Sequence, residues 1–361
     1  MTATSSKAVR HTRNLCSGIY SAVKVNIAAL KPRYLWLEVT DRCNSRCEYC
    51  SIHQKPFTKD PLSPDETRRI LSDSLFRNVG YVINSGGEPT VRSDLLEVLL
   101  AEHEALPRAT LQLSTNGLLP ERTIAMVAEL QRRCIDVEVG VSLDGVGSRH
   151  DAIRGVKGNF EKVDHLVKKL VQMNARVSLG ATLINKNLAD NLQAREYARA
   201  LNVPFMYHWF NTSGFYGNEQ SDRASSYRKA NGMLHAVETA MPQGPYKDMW
   251  LNELNGIQPR FRCFALNSFA VLKCSGDVAP CLSLWNSTIG NMRTDSPAAV
   301  WHSQKAKETR TTIRNCRGCL NSWGVCWSLA TSYYPNLIHK VKTRLFAPKM
   351  QCAEPMTVTA T

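Results

Sequence analysis

The chain has 361 residues and a net charge of +14, a length that allows one large domain or a medium one with a smaller companion. Its 43% hydrophobic content is ordinary for a protein with a real core, and with no apolar run of about 18 residues no transmembrane helix is expected. Twelve cysteines without a secretory apolar segment, ten of them in two metal-ligand-like groups, exclude a disulfide framework and point to a reducing, cytoplasmic setting.

The charge sits at the ends. Residues 1–33 carry six Lys/Arg and no acid, and residues 301–361 carry nine against two acids. A nearly neutral middle argues against a basic groove, so nucleic acid is not an expected partner. The basic ends would touch an acidic partner or an anionic membrane weakly, or are simply solvated.

Residues 1–33 form a basic extension in which Leu15–Leu30 can make a helix with an apolar face. It is read as packing on the domain, with a membrane-surface helix or a transit peptide as alternatives. Tyr34–Val39 is a predicted strand, followed at once by Cys43-Asn-Ser-Arg-Cys47-Glu-Tyr-Cys50. Three thiols at this spacing can hold three corners of an iron–sulfur cluster and leave one iron open. Ser63-Pro-Asp-Glu66 is a capping box that opens a helix to about Arg77. Tyr81–Asn84 is a strand running into Ser85-Gly-Gly-Glu-Pro89, and Ser93–Ala105 a helix. Thr110–Ser114 is a strand ending in Thr115-Asn116-Gly117, and Pro120–Arg133 a helix with Cys134 read as a buried thiol. Val137–Leu143 is a strand ending in Asp144-Gly145, Gly158–Met173 a helix, and Arg176–Leu183 a strand ending near Asn185. A helix near Asn191–Leu201 and a sixth strand, Val203–Phe210, complete the series.

Six strands alternating with helices predict a parallel sheet over residues 34–215, and the polar motifs gather at the strand C-terminal ends, where sites are built. Asp144, His208 and Asn211 would sit on that rim and orient substrate. Residues 216–255 read as a helical connector, with a helix over Ser225–Met241. Residues 256–352 hold Cys263, Cys274, Cys281, Cys316, Cys319, Cys326 and Cys352 around a hairpin, Phe269–Lys273 and Val278, and 353–361 are a loose tail. On spacing alone, zinc and iron–sulfur are not separable in this half.

C-x3-C-x2-C, Tyr49 before the last cysteine, Gly86-Gly87-Glu88-Pro89, Ser114-Thr-Asn-Gly117 and Val141-Ser-Leu-Asp-Gly145 together resemble the radical S-adenosylmethionine (SAM) superfamily. The resemblance implies an α/β fold, a partial (β/α)6 TIM-like barrel, with Cys43, Cys47 and Cys50 holding a 4Fe–4S cluster whose open iron is chelated by S-adenosylmethionine. It implies that Gly86, Gly87 and Glu88 meet the cofactor's amino-acid end, Glu88 pairing with the ammonium or shaping the loop. Ser114, Asn116 and Ser142 would bond the ribose, Tyr49 would lie near the adenine, and Arg154 would pair with the carboxylate. The activity implied is reductive cleavage to a 5′-deoxyadenosyl radical that abstracts hydrogen from a C–H bond of an organic substrate. Oxidation, epimerisation or cross-linking of a natural-product small molecule, a sugar or a peptide would follow, with flavodoxin or ferredoxin as electron donor.

Cys263-x12-Gly276-x4-Cys281 and Cys316-x2-Cys319-x6-Cys326 resemble the SPASM or twitch extension of that superfamily, which implies one or two auxiliary clusters. Ala330 stands where the two-cluster pattern has a further cysteine. Two ligand sets stay open: a complete cluster on Cys316, Cys319, Cys326 and Cys352 beside an incomplete one on Cys263, Cys274 and Cys281, or a single cluster on Cys263, Cys281, Cys316 and Cys319. A barrel that starts at residue 34, with no leader-binding domain of roughly 80–100 residues ahead of it, makes a ribosomal peptide less expected than a small molecule. An RNA-modifying relative and a non-catalytic zinc-thiolate protein are the alternative readings.

Overall fold

A computed structural model describes residues 31–184, 187–219, 243–257, 262–316 and 321–331, with a few positions between 234 and 241. The expected Leu15–Leu30 helix, most of the Ser225–Met241 helix, and Asn185, Cys319 and Cys352 lie outside the described residues.

The alternation is observed: β1 (Tyr34–Thr40), α1 (Pro64–Leu71), β2 (Tyr81–Gly86), α2 (Leu95–Ala105), β3 (Thr110–Thr115), α3 (Pro120–Arg132) and β4 (Val137–Ser142). It continues with α4 (Ser148–Arg154), α5 (Asn159–Gln172), β5 (Arg176–Leu183), α6 (Leu188–Ala200) and β6 (Phe205–Trp209). The C-terminal part supplies α7 (Pro245–Leu254), β7 (Phe269–Leu272), β8 (Val278–Ala279), α8 (Pro297–His302), α9 (Gln304–Arg314) and α10 (Ser322–Thr331). One sheet runs in the order β6-β5-β4-β3-β2-β1-β7-β8. Strands β1 to β6 pair in parallel, as crossover helices require. The expected hairpin forms, and β7 pairs in parallel with β1, Leu37 opposite Leu272, so the second cysteine group hangs from the barrel's own sheet.

Burial separates the strands into two kinds. β1 is buried along nearly its whole length, as a strand covered on both faces must be. β4 and β5 alternate, with Glu138, Gly140, Ser142, Ser178, Gly180 and Thr182 only half-buried. Their apolar alternates face α3 and α5, where Val127, Leu130, Val163, Leu166 and Leu170 are buried. The half-buried set faces inward and stays polar, in contrast to the branched apolar layers of a filled barrel.

The capping box is made: Ser63 N donates to Glu66 Oε2 at 2.8 Å and Glu66 N to Ser63 Oγ at 3.2 Å. The helix stops at Leu71 rather than near Arg77, because the Asp73 carboxylate takes the Leu75 N–H at 2.8 Å and folds that segment as a turn. Cys134 is exposed, not buried; it takes the left-handed position after α3, at φ +58°, which turns it away from the core. Arg92 ties the parts together, donating to Val39 O at 2.7 Å and Leu62 O at 2.6 Å while paired with Asp94.

Glu102 of α2 is fully buried and accepts from Asn84 Nδ2 at 2.8 Å. Burial pushes its carboxyl up to about 8, so the folded protein holds it neutral where the unfolded chain, near 4.5, ionises. Its stabilising proton is therefore fully felt below about 4.5 and is lost as pH rises towards 8. Urea unfolding at pH 5 and pH 8 should show wild type losing at least about 1 kcal/mol over this interval. Glu102→Gln should lose correspondingly less, and an equal loss in the two proteins would contradict the assignment.

Candidate active site

The cysteine loop leaves β1 and is gripped from two sides. Gly87 N donates to Thr40 O at 2.8 Å and Glu88 N to Arg42 O at 2.7 Å. A Cβ on Gly86, whose φ is +131°, would stand 2.0 Å from Thr40 O, and one on Gly87 2.1 Å from Arg42 O. The two glycines are required by the close approach of the loop's own backbone. From the other side Arg46 N donates to Arg154 O and Glu48 N to Ile153 O, and a Cβ on Gly155 would meet Arg46 O at 2.4 Å. A third element closes over it: Ser51 N donates to Tyr216 O at 2.8 Å, and the buried Asn218 donates from Nδ2 to Tyr49 O at 3.1 Å.

Cys43, Cys47 and Cys50 line one cavity of about 310 Å³ together with Tyr49, Gly86, Gly87, Glu88 and Arg154. Burial, and then Glu88 and the neighbouring thiols, push Cys43 up to about 12; burial does the same to Cys50. Such thiols ionise only against a cation, and Arg154 Nη1 lies 3.7 Å from Cys47 Sγ. Three soft donors on one wall, with free space and a fixed cation beside them, fit a 4Fe–4S cluster held at three corners.

Behind that wall lies a buried charged knot. Asp144 is 0% exposed and does not line the cavity. Its Oδ2 accepts from Tyr49 OH at 2.7 Å and stands 2.7 Å from Arg154 Nε, and its Oδ1 accepts from Thr182 N at 2.7 Å. The His150 Nδ1 accepts Asp144 N at 3.2 Å, and burial holds that imidazole down at about 4, neutral. Asp144 is thus placed to fix Arg154 and Tyr49, not to touch a substrate.

The remaining rim residues divide similarly. Glu88, 1% exposed, accepts from Thr90 N, Thr90 Oγ1, Thr115 Oγ1 and Asn116 N at 2.6–3.1 Å, so its oxygens knit the loops after β2 and β3. Of the two roles expected for it, this geometry carries the loop-shaping one. Asn116 donates to Asn44 Oδ1 at 2.8 Å and Ser45 Oγ at 2.9 Å, joining the β3 rim to the cysteine loop. Ser114 bonds Gln112, and Ser142 lines the cavity. His208 and Asn211 reach the same cavity; Asn211 Nδ2 donates to Ser283 Oγ at 2.9 Å. Tyr207 and Trp209 are buried, as a strand of the core requires. Of the knot partners, Thr182 stands at a strand end where rim residues are expected and His150 opens the segment that leads to Arg154, whereas the clamp residue Asn218 lies in a stretch legible only as loop.

Among the second cysteines, burial, and then the charge of the neighbouring Cys316, raise Cys263 to about 11. Burial alone raises Cys326 to about 12. Cys274 is buried, its Sγ 3.4 Å from Thr58 Oγ1 and its N–H donating to Glu38 Oε2 at 3.2 Å. Cys281 is half-buried.

Residues 37–198 match the model of the radical SAM superfamily, and residues 263–320 that of the SPASM iron–sulfur cluster-binding domain. The chain is 33% identical over 161 residues to Fe-coproporphyrin III synthase of Methanosarcina barkeri (strain Fusaro / DSM 804), covering 44% of this chain and 39% of that protein. It is 31% identical over 167 residues to the mycofactocin maturase MftC of Mycolicibacterium smegmatis (strain ATCC 700084 / mc(2)155), covering 45% and 41%. The chain thus matches about two-fifths of the length of these curated relatives. Streptococcus suis SuiB bound to S-adenosylmethionine superposes with a TM-score of 0.61 at 16% identity, over 86% of this chain and 74% of that one. Native anSMEcpe with bound AdoMet gives 0.58 at 15% identity, over 87% and 100%. At these identities the structures establish the fold. A radical SAM domain implies a 4Fe–4S cluster and S-adenosylmethionine, and a SPASM domain implies auxiliary iron–sulfur clusters. The chain carries a radical SAM domain over residues 37–198, the domain of a superfamily of enzymes, and a SPASM-type iron–sulfur domain over residues 263–320.

Proposed function

We propose that Cys43, Cys47 and Cys50 hold the cluster, that the cavity beside them takes S-adenosylmethionine, and that the enzyme removes hydrogen from a C–H bond of an organic substrate. The observation that carries this is the convergence of three thiols, the Gly86-Gly87 clamp and Arg154 on one cavity. When bound, the pair would supply one-electron cleavage of the sulfonium and the hydrogen-abstracting power that comes with it. The chain's own residues aim and shield. Arg154 is fixed by Asp144 beside Cys47, where it balances thiolate charge and can meet the cofactor's carboxylate. Tyr49 forms wall and is held by its hydroxyl. Gly86 and Gly87 keep the cysteine loop against β2, and Trp36, Phe215 and Tyr216 present apolar surface that excludes water.

The substrate falls within oxidation, epimerisation or cross-linking of a natural-product small molecule, a sugar or a peptide. A relative named as a mycofactocin maturase and a similar structure bound to its precursor peptide, SuiA, support keeping a peptide in that range. Flavodoxin or ferredoxin would supply the electron, and Cys263, Cys274, Cys281, Cys316, Cys319, Cys326 and Cys352 are the candidate auxiliary ligands.

Anaerobic incubation of reconstituted protein with dithionite and S-adenosylmethionine should yield 5′-deoxyadenosine, and Cys47→Ala should lower it at least about a hundredfold. No product above background in reconstituted wild type would sink the proposal. Gly87→Ala should lower iron per chain without touching any thiol, because the new methyl group collides with Arg42 O. Unchanged iron content would show that the clamp is dispensable.

A further inference from the structure

The β4–β6 side of the cavity, away from the cysteine loop, has a composition that the proposed chemistry does not use. Gly140 and Gly180 stand on adjacent inner strands, and each leaves room for one polar side chain. A Cβ on Gly140 would meet Gln112 Nε2 at 2.5 Å, and one on Gly180 would meet His208 Nε2 at 3.0 Å. The His208 ring is stacked on Trp323 of α10, with centroids 5.3 Å apart and planes at 29°, so the C-terminal segment fixes its plane. Its Nδ1 is buried and has no hydrogen-bond partner among the described residues. Trp36 Nε1, from β1 in the same lining, is in the same condition. Buried polar atoms are almost always paired, so these two are positioned to pair with whatever enters.

Charge narrows the class of ligand. Among the described residues Arg154 is the one Lys or Arg in the lining, and it is held by Asp144 and Cys47. Glu88 has its four donors, and Glu138 pairs with Tyr81 and Arg176. Burial holds His208 down at about 4, so at neutral pH it is an uncharged donor or acceptor. Ser178 adds a neutral hydroxyl. A substrate rich in carboxylates or phosphates would find no free cation on this side, and desolvating it there would be costly.

We infer that the β4–β6 side of the cavity is a substrate subsite for an uncharged hydroxyl or amide group, hydrogen-bonded at Nδ1 of His208 and walled by Trp323. It rests on the function proposed above and narrows its substrate to neutral hydroxylated rings or neutral peptide groups. Trp323 then makes the C-terminal segment part of the specificity pocket, not only a carrier of cysteines.

The test uses reconstituted, anaerobic holoenzyme with S-adenosylmethionine, titrated calorimetrically with myo-inositol, N-acetylserinamide and succinate. Wild type should give saturable heat with at least one neutral probe and none with succinate; the responding probe tells a polyol from a peptide source. His208→Phe should weaken that binding about tenfold, and His208→Asn, which restores a donor and an acceptor, should keep it within about threefold of wild type. Saturable succinate binding, no response to either neutral probe, or equal binding by His208→Phe would overturn the subsite. Wild type that forms 5′-deoxyadenosine yet behaves so loses only the subsite, whereas wild type that forms none loses the function on which it rests.

Discussion

Asp144 is the point on which the site depends. A carboxylate that is 0% exposed is tolerable only with full compensation, and here it has Tyr49, the Thr182 N–H and the Arg154 guanidinium. Each partner belongs to a different stretch: Tyr49 to the cysteine loop, Thr182 to β5, Arg154 to α4. Satisfying one buried charge therefore fixes three elements relative to one another. Arg154 in turn reaches Cys47, so the knot sets the electrostatics of the thiol wall as well as its shape. Removing the carboxylate would leave a buried arginine without its ion-pair partner, a change that typically costs about 3–5 kcal/mol.

The opposite grip is steric. Gly86 and Gly87 lie so close to Thr40 O and Arg42 O that no side chain fits. Glu88 then continues the same work with hydrogen bonds, tying the loops after β2 and β3. A stretch that reads as ligand-binding from its glycines is, in the folded chain, first a device for holding the cysteine loop. The cofactor cavity is what remains between the steric grip and the charged knot.

Much of the fold was legible because the signals were local and periodic. Strand–helix alternation, the capping box at Ser63 and the turn residues after each strand carry their own physics, and the parallel sheet follows from them. The three thiols were legible through spacing. What spacing does not encode is partner choice at long range. Nothing local says that Asp144 will be enclosed instead of facing substrate, that Asn218 will close over Tyr49, or that Leu272 will pair beside Leu37. Cys134 and the early end of α1 were missed for a smaller reason, the competition of a left-handed cap and an aspartate turn with helical continuation. Trp323 was invisible as a pocket residue because its role arises only when α10 packs against β6.

The most direct measurement of the central claim, that three cysteines hold a cluster whose open corner meets S-adenosylmethionine, is electron paramagnetic resonance of the dithionite-reduced, reconstituted protein with and without that cofactor. To isolate the relevant signal from that of any auxiliary cluster, the comparison is made against a triple Cys43→Ala, Cys47→Ala, Cys50→Ala variant. The account predicts a reduced-cluster signal that is absent from the triple variant and whose g-values shift when S-adenosylmethionine is added. A cofactor-responsive signal that survives the triple substitution, or a wild-type spectrum indifferent to the cofactor, would contradict it.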